Sequence, residues 1–155
     1  MGVEDPNAAD VRALLERHLA FAREFTPPEH VHALGTQAWT EPDLTFYGAR
    51  RDGLLMGVGA IRRLDQAHAE LKSMHTRAEA RGQGVGQAVL AHLMRVAGEQ
   101  GYQRVSLETG TMDAFAAARA LYRKAGFEPC PPFGQYTVNP YSVCMTLTLD
   151  SARRG

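Results

Sequence analysis

Residues 81–86 read Arg81-Gly82-Gln83-Gly84-Val85-Gly86 and lie between a predicted strand and a predicted amphipathic helix. Alternating glycines let the main chain turn tightly and point successive N–H groups into one concavity. The start of the following helix adds further N–H groups and the positive end of the helix dipole. The segment therefore predicts a phosphate-binding loop, although glycines in this number also occur in a simple tight turn.

Two other phosphate-binding motifs do not fit this segment. A dinucleotide fingerprint G-x-G-x-x-G that began at Gly82 would need glycine at position 87, where Gln87 stands. One that began at Gly84 would need a small residue at the position of Val89. A P-loop needs a Gly-Lys-Ser/Thr triplet, which the sequence lacks. A protein that binds ATP through this loop in another way is the alternative, and ligand competition would test it.

Outward from the loop, the spacing of apolar residues predicts an ordered series of helices and strands. A helix that begins at Asp5-Pro6 ends before Pro27-Pro28, where two prolines interrupt the helical spacing. The pair Asp52-Gly53 predicts a hairpin turn. The other predicted elements are a short helix over 29–38, strands over 44–50, 54–63 and 68–76, a helix over 84–100, a strand over 104–109, a helix over 113–125, and strands over 127–130 and 142–149. This order predicts an α+β fold around one mostly antiparallel sheet, in a single domain spanning 1–155.

The composition is that of an ordinary globular domain. The 155 residues are 45% hydrophobic and 22% charged, and 17 lysines and arginines balance 17 aspartates and glutamates. A net charge of zero gives no electrostatic reason to expect a nucleic acid as partner. Cys130 and Cys144 are too few for a disulfide framework, and no signal peptide or membrane-spanning run is visible. We therefore expect a cytoplasmic protein with reduced thiols and no membrane partner.

Two motifs carry a resemblance to a known family. Arg81, Gly84 and Gly86 form R-x-x-G-x-G after a predicted strand, and residues 121–127 read L-Y-x-x-x-G-F. In this order the motifs resemble those of the GNAT family of N-acetyltransferases, and the similarity, which includes a bacterial subgroup of small proteins, extends from about Pro27 onward. The resemblance implies a twisted sheet flanked by helices, with splayed fourth and fifth strands. It also implies that acetyl-CoA is the cosubstrate and that its acetyl group is transferred directly to an amine.

The resemblance further implies which residues hold the coenzyme. The pantetheine arm would lie between the fourth and fifth strands, and the pyrophosphate would lie on the glycine loop. A main-chain N–H near Met74 or His75 would polarise the thioester carbonyl, as an oxyanion donor does. The residues expected to bind acetyl-CoA are therefore Met74, His75, Thr76, Arg81, Gly82, Gln83, Gly84, Val85, Gly86, Glu108 and Thr109.

Two residues are candidates for catalytic proton transfer. Tyr122 matches the family tyrosine near the coenzyme sulfur, where a phenol with a pKa of about 10 can protonate a thiolate with a pKa of about 8.5. A tyrosine on an amphipathic helix is otherwise usually a core residue. Glu70 lies where some family members hold a general base that deprotonates the ammonium group of the acceptor. Strand alternation places Glu70 on the same face as Lys72, so a surface salt bridge is the alternative for this carboxylate.

The candidate acceptor-binding residues lie outside the glycine loop. His30 and His32 belong to a segment that resembles one wall of the acceptor site, and Glu29, Glu108 and Tyr136 are further candidates for binding a cationic amine. Two histidines also suggest a metal, but zinc needs three or four ligands and no third ligand has matching spacing, so we expect no metal. Either imidazole, or water, could replace Glu70 as the base.

The sequence departs from the family pattern at two places. Phe115 stands where many members have an asparagine that bonds the coenzyme, so this contact is missing or replaced. Only about Val3–Asp5 precede Pro6, so we expect the usual first strand to be barely present or missing.

The sequence identifies neither the acceptor nor the oligomeric state. A small amine, an amino acid or a protein lysine would each suit the implied chemistry, and we favour a small molecule. The rival from another class is a non-catalytic protein that senses acyl-CoA or serves as a partner module. A homodimer through the C-terminal strand is compatible with the resemblance, although no residue demands one.

Overall fold

The computed structural model describes residues 1–31, 39–134 and 136–149, which form one seven-stranded sheet and three α-helices. The helices are α1 (Ala9–Phe25), α2 (Val85–Glu99) and α3 (Ala116–Lys124). The strands are β1 (Gly2–Glu4), β2 (Leu44–Arg51), β3 (Leu54–Arg63), β4 (His68–Thr76), β5 (Arg104–Gly110), β6 (Glu128–Cys130) and β7 (Ser142–Thr148).

The strand order in the sheet is β1-β2-β3-β4-β5-β7-β6. Only β4 and β5 run parallel, and every other neighbouring pair of these strands is antiparallel. The α+β fold with a mostly antiparallel sheet, predicted from the sequence, is therefore confirmed. None of the helices in the described part of the chain is long and apolar enough to cross a membrane.

The two faces of the sheet carry separate apolar cores. Val11 and Leu15 of α1 pack with Phe46 and Val58 on one face. The helices α2 and α3 pack on the other face, where the neighbouring residue Tyr47 belongs to the second core. Successive residues of a strand point to opposite faces, so the helices on both sides account for the near-continuous apolar runs in β2 and β3.

Glycine in β3 lets α2 approach the sheet closely. A Cβ atom at Gly59 would lie 2.6 Å from Met74 Sδ and 2.8 Å from Leu93 Cδ1, and real Cβ atoms do not make contacts this short. Leu93 is completely buried in α2. A larger residue at position 59 would therefore have to displace the side chains of Met74 and Leu93 from this tightly packed region.

The first strand is short but present, since residues 2–4 pair antiparallel with β2; of the two expectations, barely present or missing, the first is confirmed and the second is wrong. A three-residue strand has no periodicity of its own, and the edge of β2 supplies its hydrogen-bonding partners. Arg50 also ties it down, since the guanidinium bonds both carboxylate oxygens of Glu4 at 2.8 and 3.0 Å and Asp10 Oδ2 at 2.7 Å. The same side chain donates to the carbonyl of Gly53 at 2.9 Å. One arginine thus joins β1, α1 and the β2–β3 turn.

The predicted start of the first helix at Asp5-Pro6 is also wrong, since α1 begins at Ala9. Asp5 forms a turn instead of capping the helix. Its carboxylate accepts a hydrogen bond from the Asn7 N–H at 2.9 Å, and its carbonyl accepts one from the Ala8 N–H at 3.0 Å. This turn redirects the chain from the edge strand into the helix.

The short helix predicted over 29–38 is only partly within the described residues. A single 3-10 turn spans Pro28–His30, and residues 32–38 lie outside them. The helix predicted over 113–125 is present as a 3-10 turn at Asp113–Phe115 followed by α3. The strands predicted over 54–63 and 68–76 have the observed bounds of β3 and β4.

Candidate active site

A cleft opens at the centre of the sheet, where β4 and β5 separate. The two strands pair in parallel from His68 with Arg104 to Leu71 with Leu107, although β4 continues to Thr76 and β5 to Gly110. The cleft has a volume of about 380 Å³, and residues of β4, β5, α1 and α3 line it. The splay of the fourth and fifth strands, which the resemblance implied, is therefore present.

A bulge in β4 faces this cleft. Ser73 has a positive φ of 58°, and the register between β3 and β4 shifts between Val58 and Ala60. A bulge takes main-chain groups out of the regular ladder and bends the strand. The main chain of Ser73 and Met74 therefore adjoins the cleft at a point where neither neighbouring strand pairs with it regularly. The proposed oxyanion donor near Met74 or His75 is a prediction consistent with this geometry.

The glycine loop lies at the N-terminus of α2. Gly82 and Gly84 have φ angles of 79° and 82°, in the left-handed region that favours glycine, and a Cβ atom at either position would meet no other atom within 4 Å. The loop is therefore open above its main chain, next to the free N–H groups of the first turn of α2. These donors fit a pyrophosphate group.

Only some residues of the glycine loop line the cleft. Arg81 and Gly86 line it. Gln83 instead accepts a hydrogen bond from Arg51 at 3.0 Å, and Val85 is buried in the core. Val85 can therefore contribute only main-chain groups to a ligand, and the Gln83 side chain is held towards Arg51.

Tyr122 lies on α3 and lines the cleft, with 6% of its surface exposed. Its ring packs against Phe127 at a centroid distance of 5.9 Å. Burial raises the pKa of Tyr122, so its hydroxyl stays protonated at neutral pH. A protonated phenol in contact with the cleft can donate a proton to a leaving group there.

Glu70 belongs to a buried polar group with Lys72 and Tyr136. The Glu70 and Lys72 side chains are 4% and 8% exposed, and Lys72 Nζ lies 3.3 Å from Glu70 Oε2. Lys72 Nζ also donates to the Tyr136 hydroxyl at 2.8 Å, and that hydroxyl donates to Glu70 Oε2. The alternative of a surface salt bridge is wrong in one respect: the pair exists, but it is buried. Lys72 lines the cleft, whereas Glu70 and Tyr136 are not among the described lining residues.

A pair of histidines that the sequence did not reveal lies at the α1 side of the cleft. His18 Nδ1 and His75 Nδ1 are 3.3 Å apart, so one ring donates to the other, and both line the cleft. Burial, and then the neighbouring His75 and Lys72, lower the pKa of His18 to about 3. Burial and the nearby Arg81 and Arg17 lower the pKa of His75 to about 4. Both rings are therefore neutral at pH 7.

Phe115 replaces the usual asparagine with an apolar contact. Its ring packs against Phe21 of α1 at a centroid distance of 5.2 Å, and both residues line the cleft. A Cβ atom at Gly110 would overlap the Phe115 ring, so glycine at that position of β5 lets the ring lie over the strand. This contact joins α1 to the start of α3 across the cleft.

Only some of the residues predicted to bind the acceptor line the cleft. His30, Glu108 and Thr109 line the cleft, as do Met74, His75 and Thr76 of the coenzyme candidates. Glu29 is exposed and is not among the described lining residues, and His32 lies outside the residues that the structure describes. Tyr141, which the sequence did not single out, packs its ring against His30 at 4.9 Å.

The described residues also bear on metal binding and on thiol chemistry. In the described ranges, no group of three or more histidine, cysteine or carboxylate side chains could hold a metal ion. Both cysteines are free thiols, and burial raises the pKa of Cys144 to about 11. That thiol is therefore protonated at neutral pH and is a poor nucleophile.

Residues 11–127 match the family described as acetyltransferase (GNAT) family. The chain belongs to this family. The uncharacterized N-acetyltransferase YsnE of Bacillus subtilis (strain 168) is 42% identical over 147 residues, which cover 95% of this chain and 97% of the relative. The GNAT resemblance predicted from the sequence is thereby confirmed, and the protein is an acetyltransferase.

Solved structures agree with this GNAT fold. A putative acyl-CoA N-acyltransferase from Klebsiella pneumoniae aligns with a TM-score of 0.78 and 28% identity, covering 96% of this chain and 95% of the other. A GNAT family acetyltransferase from Elizabethkingia anophelis, solved with acetyl-CoA bound, aligns with a TM-score of 0.69 over 95% of each chain. Its 18% identity supports the fold alone.

Proposed function

We propose that this acetyltransferase transfers the acetyl group of acetyl-CoA directly to the amine of a small molecule or amino acid. The observation that carries the proposal is the cleft between β4 and β5. Tyr122, the bulge at Ser73 and the Arg81 end of the glycine loop all adjoin that one space. A proton donor, main-chain donors and a phosphate-binding loop therefore surround the position of a single extended ligand.

Acetyl-CoA, when bound, supplies a thioester whose acetyl carbon the amine attacks. The N-terminus of α2 and Arg81 would hold the pyrophosphate, and the walls formed by Met74–Thr76 and Glu108–Thr109 would hold the pantetheine arm. A main-chain N–H beside the bulge would stabilise the oxyanion that forms on attack. Tyr122, whose hydroxyl is protonated at neutral pH and lines the cleft, would protonate the departing sulfur.

Glu70 is the proposed acceptor of the amine proton, and its position defines how it acts. The carboxylate is not among the described lining residues, so it would take the proton through an intervening group. Since the Tyr136 hydroxyl, which donates to Glu70 Oε2, also lies outside the described lining, a water molecule would serve as that group. A direct proton transfer from the acceptor to Glu70 is not part of the proposal.

The contact between His30 and Tyr141 supports a small acceptor. These rings pack at a centroid distance of 4.9 Å and both line the cleft. His30 follows α1 and Tyr141 precedes β7, so the contact joins the two chain segments that flank the acceptor end. A contact between two walls limits the width of the cleft on that side, which suits a small amine better than a lysine within a folded protein.

The first test measures binding and turnover separately. Calorimetry with acetyl-CoA, CoA and ATP would identify the coenzyme, and a free-thiol assay with a panel of amines would then measure acetyl transfer. The Tyr122→Phe variant should keep its affinity for acetyl-CoA and lose about 100-fold or more in kcat, since general acid catalysis typically contributes about 10²- to 10⁴-fold. Tyr102→Phe is the matched control, because Tyr102 is equally buried (6% exposed) and is not among the described residues of the cleft.

The outcomes separate the alternatives. Equal kcat values for the two variants would refute the role of Tyr122. Tight binding of acetyl-CoA without acetylation of any amine would indicate a non-catalytic acyl-CoA-binding protein, and acetylation of protein lysines alone would refute the small acceptor. Binding of ATP in place of acetyl-CoA would refute the proposed coenzyme.

A further inference from the structure

The formal charges in the cleft are few and well separated by role. Apart from its histidines, the described lining contains three ionisable side chains that are charged at neutral pH, Lys72, Arg81 and Glu108. Arg81 belongs to the glycine loop at the coenzyme end. Lys72 and Glu108 are the charged residues in the rest of the described lining.

Lys72 is held in a fixed position. Its ammonium group donates to Glu70 Oε2 at 3.3 Å and to the Tyr136 hydroxyl at 2.8 Å, and its side chain is 8% exposed. An ammonium group has three donors, so these two contacts leave capacity for one more hydrogen bond. Lys72 lines the cleft while Glu70 and Tyr136 are outside its described lining, so a ligand can approach that remaining donor from the cleft.

Glu108 lies across the gap from Lys72. Leu71 pairs with Leu107 at the last parallel position, so Lys72 and Glu108 are the first residues beyond it on the two separating strands. Strand alternation puts both on the face opposite Leu71 and Leu107, which are core residues on the α2 side. A cation and an anion thus occupy the two walls at the point where the strands part.

We propose that Lys72 and Glu108 together recognise an acceptor that carries a carboxylate close to its amine, as a free amino acid does. Lys72 would donate a charge-assisted hydrogen bond to the carboxylate, and Glu108 would attract the ammonium group before it loses its proton. This inference rests on the proposed function and narrows its substrate class. It also assigns Lys72 as the residue that determines specificity.

The test compares free L-amino acids with their amides, which keep the amine and the side chain but lose the negative charge. In the wild-type enzyme the ratio of kcat/KM for the acid to that for the amide should be about tenfold or more, as expected for a hydrogen bond between charged groups. Lys72→Met should lower this ratio to within about threefold, and Lys72→Arg should keep part of it. Because the comparison is a ratio within each variant, a general loss of activity or stability does not affect it.

Glu108→Gln is the matched control on the opposite wall. It should raise KM for acids and amides alike, because both carry the ammonium group, and leave the ratio near the wild-type value. Equal use of acids and amides by the wild-type enzyme, or an unchanged ratio in Lys72→Met, would overturn the inference while the proposed function stands. If acetyl-CoA binds and no small amine is acetylated, the proposed function fails and the inference fails with it.

Discussion

The paired histidines make the stability of the protein sensitive to mild acid. His18 and His75 share a hydrogen bond across the α1 side of the cleft, and their pKa values are lowered to about 3 and about 4. An unfolded histidine has a pKa of about 6.5, so the unfolded chain takes up protons first as the pH falls. The stability associated with the neutral pair is therefore fully present above pH 6.5 and is lost progressively below it.

The size of the effect follows from the two pKa values. A pH of 5 is about 1.5 units below the pKa of an unfolded histidine. At about 1.36 kcal/mol per unit, each histidine that stays neutral in the folded state therefore lowers the free energy of unfolding by about 2 kcal/mol. The pair therefore removes up to about 4 kcal/mol from the free energy of unfolding between pH 8 and pH 5. Replacing His18 by Gln keeps a hydrogen-bonding partner for His75 and removes one titrating group, so this loss should shrink by up to about 2 kcal/mol.

Urea denaturation of the wild-type protein and of His18→Gln at pH 8, 7, 6 and 5 would measure this difference. Any constant cost of the substitution cancels, because only the change with pH is compared. His92→Gln is the control, since His92 lies on α2 outside the described lining of the cleft and should alter the pH dependence far less. If the wild-type protein and His18→Gln lose equal stability between pH 8 and pH 5, the conclusion that His18 and His75 form a buried pair that stays neutral is refuted.

Two glycine substitutions test the packing and the loop. Gly59→Ala should destabilise the fold by about 1–3 kcal/mol, because the added methyl group would clash with buried Leu93. Gly2→Ala is the control, since its Cβ would meet nothing within 4 Å, and it should change stability by less than about 0.5 kcal/mol. Equal urea midpoints for Gly59→Ala and Gly2→Ala would contradict the close packing of Gly59 against Leu93. Gly84→Ala should cost about 1–2 kcal/mol through its positive φ of 82° and should also weaken acetyl-CoA binding in calorimetry. Gly101→Ala, with a φ of 86° and equal space, should cost as much stability without loss of affinity, and a similar affinity in both variants would argue against the loop as the pyrophosphate site.

The sequence predicted those elements whose signals are local. The bounds of β3 and β4 follow from apolar residues and the Asp52-Gly53 turn, and α2 follows from helical spacing after the glycine loop. The sequence left open whether β1 is present, because three residues carry no period and only pairing with β2 makes them a strand. The start of α1 was misplaced because an Asp-Pro pair suits a turn as well as a helix start.

The site was harder to predict where it depends on contacts between distant segments. Strand alternation predicted which face of the sheet carries Glu70 but not that the side chain is buried. Its surroundings include Tyr136, which lies 66 positions away in the chain. The contact between His18 and His75 joins residues 57 positions apart and leaves no pattern in the sequence. Ring contacts such as that of Phe21 with Phe115 likewise require the folded chain.

The early end of pairing between β4 and β5 has a mechanical consequence. The sheet consists of a four-stranded part, β1 to β4, and a three-stranded part, β5 to β7, joined edge to edge by four residue pairs. A short parallel seam resists twisting less than a full-length one, so relative rotation of the two parts changes the width of the cleft. A ligand in the gap contacts both parts at once and takes the place of the missing strand pairs. Coenzyme binding should therefore couple the two parts of the sheet, so that they unfold as one cooperative unit.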